Sequence, residues 1–242
     1  MISYSPSSRR VRAGNPREGA RSYQPLVFEL VGPAGAGKTS VLQALAQFDP
    51  TLRAGIRLSR TEKAVGALRG LHVWGPAASS LFLSAPAAAP WAVRHVLRIC
   101  TLHDALPRAA AGRKAVLLDE GPVFSLTRLH ALGSRRTSIL LDHEARHLNA
   151  WAEELDGIIW LDASDAVLMQ RIRTRAKAHR VKDSSDAAVR AFLDGYRQAY
   201  REVLADFRRR GVQLHCFDTT HTSQGEIVKH VLHLIEAARR EH

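Results

Sequence analysis

The stretch from Leu26 to Phe48 restricts the fold of this chain more than any other feature. Leu26-Val27-Phe28-Glu29-Leu30-Val31 is a short apolar run of the kind buried on both faces of a sheet. A glycine-rich turn follows, and Lys38 then opens a segment in which Val41, Leu45 and Phe48 recur at helical spacing until Pro50 stops it. The turn, Gly32-Pro33-Ala34-Gly35-Ala36-Gly37-Lys38-Thr39, fits the pattern G-x-x-x-x-G-K-[ST] at every position. Each part has a physical task. The glycines let the backbone wrap so that successive N–H groups converge on phosphate oxygens, and the following helix adds the positive end of its dipole. The Lys38 ammonium reaches the outer phosphates, and the Thr39 hydroxyl suits Mg²⁺. Strand, turn and helix in this order predict a nucleoside triphosphate held by Gly32, Pro33, Ala34, Gly35, Ala36, Gly37, Lys38, Thr39 and Ser40.

The rest of the chain repeats the alternation of strand and helix. Apolar strands are expected at Lys114–Asp119, Ile158–Asp162 and Val212–Phe217, with another inside Ala54–Ser59. Trp91–Leu106 reads as a helix with Val93, Val96, Leu97 and Cys100 on one face, ended by Pro107. A helix including Glu144–Leu155 precedes the third clear strand, and Ser164 caps another that runs into Arg173. Ala187–Arg210 carries one apolar stripe through Phe192, Tyr196, Tyr200 and Phe207 and is closed by Gly211. Ser223-x-x-Glu226 is a capping box for the last helix. Strands that are apolar throughout, separated by helices, predict a parallel sheet covered on both faces. The expectation is a single doubly wound α/β domain of about five strands over residues 25–242, with residues 1–24 as a flexible basic tail and 75–90 irregular.

The charge balance needs explaining. The 242 residues carry a formal +12, and 29 of the 35 cations are Arg. Arg grips phosphate with a planar fork of donors, so a polyanion partner competes with a coding bias as the reason. The tail supplies five Arg against one Glu. Cys100 and Cys216 are too few and too far apart for a disulfide framework or a zinc ribbon, which points to a reducing cytoplasm. Polar residues follow Arg9-Arg10, and Pro76, Pro86 and Pro90 interrupt the apolar run from Leu71 to Ala92, so no membrane segment is expected. His143-Glu144-Ala145-Arg146-His147 has the H-E-x-x-H spacing of a zinc protease helix, but the phosphate loop already accounts for this kind of chain.

On the phosphate loop the sequence resembles the P-loop NTPases. Ala115-Val116-Leu117-Leu118-Asp119-Glu120 then looks like a Walker B strand, which would set Asp119 beside the metal and Glu120 as a base or water-orienting group. No N-K-x-D motif is present, which speaks against guanine specificity. The segment Gln170 to Lys182 carries six cations on every side of a helix, and a mobile Arg-bearing lid that excludes water is what a small kinase needs. With a strand ending at Asp162 and a helix bearing Arg171-Ile172 and Arg175, the segment resembles the lid of the nucleoside and nucleotide kinases, thymidylate-kinase-like proteins above all.

That resemblance implies ATP and Mg²⁺ as cofactors, a helical lid at about 171–185, and transfer of the γ-phosphate to a small acceptor such as a nucleoside or nucleotide. It implies catalytic roles for Lys38, Asp119, Glu120, Arg171 and Arg175, and metal binding by Thr39 and Asp119. A homodimer stays open, and an ATPase serving nucleic acid or a protein is the rival reading. The sequence departs from these families in two places. Asp119 is followed by Glu120-Gly121-Pro122 where thymidylate kinases carry Asp-Arg, and the region after strand two offers Arg57, Arg60 and Glu62 where deoxynucleoside kinases have a base carboxylate followed by Arg. Glu62 is therefore a second candidate base, and Arg57, Arg60 and Arg69 are candidates to hold an anionic acceptor.

Overall fold

The computed structural model describes residues 24–65, 68, 89–130, 138–176 and 178–240. The expected tail up to residue 23, Arg69 and most of the irregular stretch 75–90 lie outside them. Five strands form one parallel sheet: β1 (Leu26–Val31), β2 (Leu52–Ala54), β3 (Ala115–Asp119), β4 (Gly157–Asp162) and β5 (Gln213–Asp218), in the order β2-β3-β1-β4-β5. Among the described residues seven long helices connect and cover them. They are α1 (Lys38–Phe48), α2 (Ala89–Ala110), α3 (Pro122–His130), α4 (Ser138–Glu154), α5 (Asp165–Thr174), α6 (Asp186–Arg209) and α7 (Gln224–Arg240). A further helical stretch covers residues 60–65. The doubly wound α/β arrangement is the one expected.

Every residue of β1 is buried, because β3 and β4 flank it and helices cover both faces. Strand periodicity divides its side chains between two cores. Leu26, Phe28 and Leu30 face α1, α5 and α7. Val27 and Val31 face α2, α3, α4 and the C-terminal half of α6. Helix α6 joins the two cores, with Val189 and Leu193 in the first and Val203, Leu204 and Phe207 in the second.

Several local details differ from expectation for identifiable reasons. Strand β2 is Leu52–Ala54 and stops at Gly55, whose left-handed backbone (φ 72°) turns the chain out of the sheet, so Ala54–Ser59 is not the strand. Helix α2 runs through Pro107 to Ala110. Pro107 is exposed, as is His103 four residues before it, whose carbonyl loses its helical partner to the missing N–H. The buried stripe of α2 includes Ala92, Val96, Ile99, Leu102 and Leu106, so of the expected face Val96 is buried while Val93, Leu97 and Cys100 are only half-buried beside it. Helix α3 has no counterpart in the sequence reading. The Ser223–Glu226 capping box forms as written, with Ser223 N–H donating to Glu226 Oε2 at 2.8 Å and Glu226 N–H to Ser223 Oγ at 3.3 Å. Among the described residues no helix is long and apolar enough to cross a membrane.

Candidate active site

The loop between β1 and α1 passes over the end of β4. At Gly32, with φ 148°, a Cβ would stand 2.0 Å from the Leu161 carbonyl oxygen, so only glycine allows this approach. Helix α1 starts at Lys38 with no side-chain cap and no acidic residue in its first turn. Its positive end is therefore not neutralised from within the helix. Lys38 Nζ donates to the carbonyls of Gly32 at 2.8 Å and Pro33 at 2.9 Å. Burial lowers the Lys38 ammonium to about 8, against the opposing pull of Asp119 and Glu120. A backbone cradle, a helix N-terminus and one ammonium together fit a polyphosphate.

The tip of β3 lies beside this loop, because Leu30 of β1 is in register with Asp119. Burial raises the Asp119 carboxyl above its ordinary range, and Lys38 opposes the rise. Glu120 has φ 56°, the one non-glycine residue with positive φ among the described residues. Such a conformation persists only where the surroundings hold it, and stores on the order of 1 kcal/mol. Arg98 of α2 supplies part of that hold, donating from Nε to the Glu120 carbonyl at 2.6 Å and from its terminal nitrogen to the Asp119 carbonyl at 3.3 Å. The Glu120 carboxylate lies 3.8 Å from the same guanidinium and is half exposed. Gly121 and α3 follow, and their first amides are held by Glu29 of β1, a residue the sequence reading passed over.

A cavity of about 820 Å³ opens above the loop. Every residue of the predicted phosphate loop lines it except Pro33, and Asp119 and Glu120 form one side. Helix α5 and the segment after it supply Arg171, Arg175 and His179, and the turn after β5 supplies Thr219 and Thr222. Arg171 is fixed by hydrogen bonds to the Thr219 hydroxyl (2.9 Å), the Thr219 carbonyl (2.9 Å) and the Gly35 carbonyl (3.3 Å). A further part of the lining is aromatic and cationic, made by Phe124 and Arg128 of α3 with Phe192, Tyr196 and Tyr200 of α6. The Arg128 guanidinium lies 5.2 Å from the Trp91 ring, 5.7 Å from Phe124 and 5.2 Å from Tyr196. Burial lowers its pKa, and its Nε has no hydrogen-bond partner among the described residues.

The basic segment is only partly a helix. Helix α5 ends at Thr174, with Arg175 as its C-cap, and turns carry the chain on to α6. Ile172 and Val181 are buried, which anchors the segment at two points. Arg173 pairs with Asp186, Lys182 donates to the Arg175 carbonyl at 2.8 Å, and Arg180 lies 5.2 Å from the Phe192 ring. Lys177 lies outside the described residues. Of the described cations in the segment, Arg171 and Arg175 line the cavity.

Arg57, Arg60 and Glu62 do not line the cavity. Arg57 and Arg60 are exposed. Glu62 accepts from the Ser59 amide at 2.7 Å, completes a capping box with the Ser59 hydroxyl and pairs with Arg108. In the H-E-x-x-H stretch, Glu144 lies 3.6 Å from His130, while His147 lies 3.5 Å from the Cys100 sulfur. These two residues of the motif thus turn to different partners, and the His143 side chain lies outside the description. The sequence carried signals for the residues that were missed. A carboxylate in a wholly apolar strand, as at Glu29, has to have a partner. Phe192 and Tyr196 read as core stripe, and nothing local separates a stripe facing a core from one lining a cavity.

No protein-family model matches the chain, and no curated protein matches it in sequence. Among solved structures it is similar to the YorR protein of Bacillus subtilis, determined in complex with phosphorylated GDP. That likeness is 17% identity over 89% of this chain and 99% of the other, with a TM-score of 0.48. It is also similar to deoxyadenosine kinase from M. mycoides with bound dCTP, at 10% identity over 88% of this chain and 100% of the other, with a TM-score of 0.49. At these scores both are resemblances of chain path, and they assign no activity to this chain.

Proposed function

We propose that the protein is a phosphotransferase that moves the γ-phosphate of ATP to a small acceptor. The observation carrying this reading is that the phosphate cradle shares one cavity with a cluster of aromatic and cationic side chains from α3 and α6 and with two carboxylates. A nucleotide-hydrolysing protein needs the cradle, a metal and a group that orients water, but no second binding wall. A second wall of rings with an embedded guanidinium suits a flat, polar acceptor such as a nucleoside or nucleotide.

In the proposed reaction an acceptor hydroxyl oxygen bonds to the γ-phosphorus, the bond from that phosphorus to the bridging oxygen breaks, and ADP leaves. The hydroxyl proton passes to Glu120, whose carboxylate is exposed to the cavity. Glu62 was the other candidate base, and its capping box and ion pair with Arg108 favour Glu120 over it. Mg²⁺, with the Thr39 hydroxyl and Asp119 as its candidate ligands, neutralises charge on the outer phosphates when bound. Lys38, Arg171 and Arg175 surround the cradle with positive charge, and the segment 171–185 serves as a lid that excludes water. Among the described residues neither Cys100 nor Cys216 forms a disulfide, which suits a reducing cytoplasm.

The test is ATP consumption against a panel of nucleosides, nucleotides and other small hydroxylated metabolites. Consumption that depends on one acceptor class supports the proposal. Equal hydrolysis with and without every acceptor, or stimulation by DNA or RNA instead, contradicts it.

A further inference from the structure

Glu29 is the one carboxylate inside a strand that is otherwise apolar on both faces, and it is fully buried. Its side chain leaves the sheet between Val27 and Val31, on the side of α2, α3 and α6. There its oxygens accept from the Val123 amide at 2.8 Å and the Phe124 amide at 2.9 Å. These are the second and third residues of α3, whose N–H groups lack partners within the helix. A helix normally receives this cap from its own N-cap side chain. Here the N-cap is Gly121, whose carbonyl accepts the first helical bond from the Ser125 amide at 3.0 Å. A Cβ at Gly121 would stand 2.7 Å from the Glu29 carboxyl, so glycine leaves the space that the distant carboxyl fills.

The backbone from Asp119 to Phe124 is thus gripped from two directions. Glu29 holds its far end from the sheet, and Arg98 holds the Asp119 and Glu120 carbonyls from α2. Between the two grips lies Glu120 in its left-handed conformation. Glu29 also joins the two sides of the cavity covalently and by hydrogen bond, since the phosphate loop begins three residues after it and α3 carries Phe124 and Arg128.

We infer that Glu29 is a positioning residue that fixes the turn presenting Glu120 and aligns the Phe124 and Arg128 wall with the phosphate loop. The inference rests on the proposed phosphotransfer and specifies which buried group sets its geometry. Removing the grip tilts α3 and leaves the nucleotide side in place. A displacement of about 1 Å in a reacting constellation lowers a rate by roughly 100-fold.

The experiment compares the full-length protein with Glu29→Ala, Glu29→Gln and Arg98→Ala, assayed below each variant's unfolding temperature. Glu29→Ala is expected to lower kcat by at least about tenfold and raise the acceptor KM by about as much, with the ATP KM within about twofold. Glu29→Gln keeps one oxygen acceptor and should recover most of the loss, and Arg98→Ala should lower kcat alone. A folded Glu29→Ala with wild-type kcat and acceptor KM overturns the inference. So does a uniform loss in which the ATP KM rises equally. If the wild-type protein phosphorylates no acceptor, the proposed function fails, and Glu29 is then judged by amide hydrogen exchange. Faster exchange at Val123 and Phe124 than at Leu126 and Thr127 in Glu29→Ala supports the positioning role, and equal change along the helix refutes it.

Discussion

Glu29 keeps its proton well into the neutral range, raised from about 4.5 to about 8 chiefly by burial, with the α3 amides and Arg98 pulling the other way. The native state therefore binds more protons than the unfolded chain between those two values. The stability that this group contributes is fully present below about 4.5 and is lost as pH rises toward 8. Glu29→Gln has no such proton to lose. Denaturant unfolding at several pH values should show the variant gaining on the wild type by on the order of 1 kcal/mol per pH unit in the middle of that window, and by less as pH approaches 8. Parallel profiles would mean that the carboxyl ionises freely in the fold. Lys38 provides a second titration of opposite sign. Burial lowers it to about 8, so part of the population is neutral there, and an incoming polyphosphate favours the charged form. Calorimetry in buffers of different ionisation enthalpy should show proton uptake on ATP binding at pH 8, and Lys38→Met should lose the uptake together with most of the affinity.

At the scale of elements, α3 and the segment from α5 to α6 determine what the cavity can accept. Arg128→Ala removes the guanidinium from the ring cluster of Trp91, Phe124 and Tyr196, and should raise the acceptor KM by about tenfold while sparing the ATP KM. Equal change in both constants would put Arg128 outside the acceptor side. Arg171→Ala should act on the nucleotide side, because its partners are Gly35 and Thr219. Elements whose stabilising contacts are local were legible in the sequence. β1 with its turn and α1, the Ser223–Glu226 cap and the α6 stripe all carry their reasons within a few neighbouring residues. Helix α3 was not legible, because its cap comes from Glu29, 94 residues away from Val123. Nor was the exact face of α2, which is fixed by what packs against it. The same division holds for the site. The phosphate loop and the tip of β3 could be read, whereas the aromatic and cationic wall is assembled from α3 and α6, which contribute one cavity residue per turn.

Across the whole molecule, the sheet order places β1 centrally, with β3 and β4 as its neighbours. Loops at the carboxyl ends of these three strands therefore meet, and the cavity opens there, as open parallel sheets favour. The Arg excess acquires a location as well. Arg98, Arg128, Arg171 and Arg175 converge on this end of the sheet from three different helices and a C-cap, where an anionic ligand would be drawn in. The most direct test of the central claim is to follow ADP and phosphorylated acceptor together in one reaction, with Lys38→Ala as the inactive control. Phosphotransfer predicts one phosphorylated acceptor for each ADP and little ADP when the acceptor is left out. ADP formed at the same rate without any acceptor, and with no phosphorylated product, would contradict it.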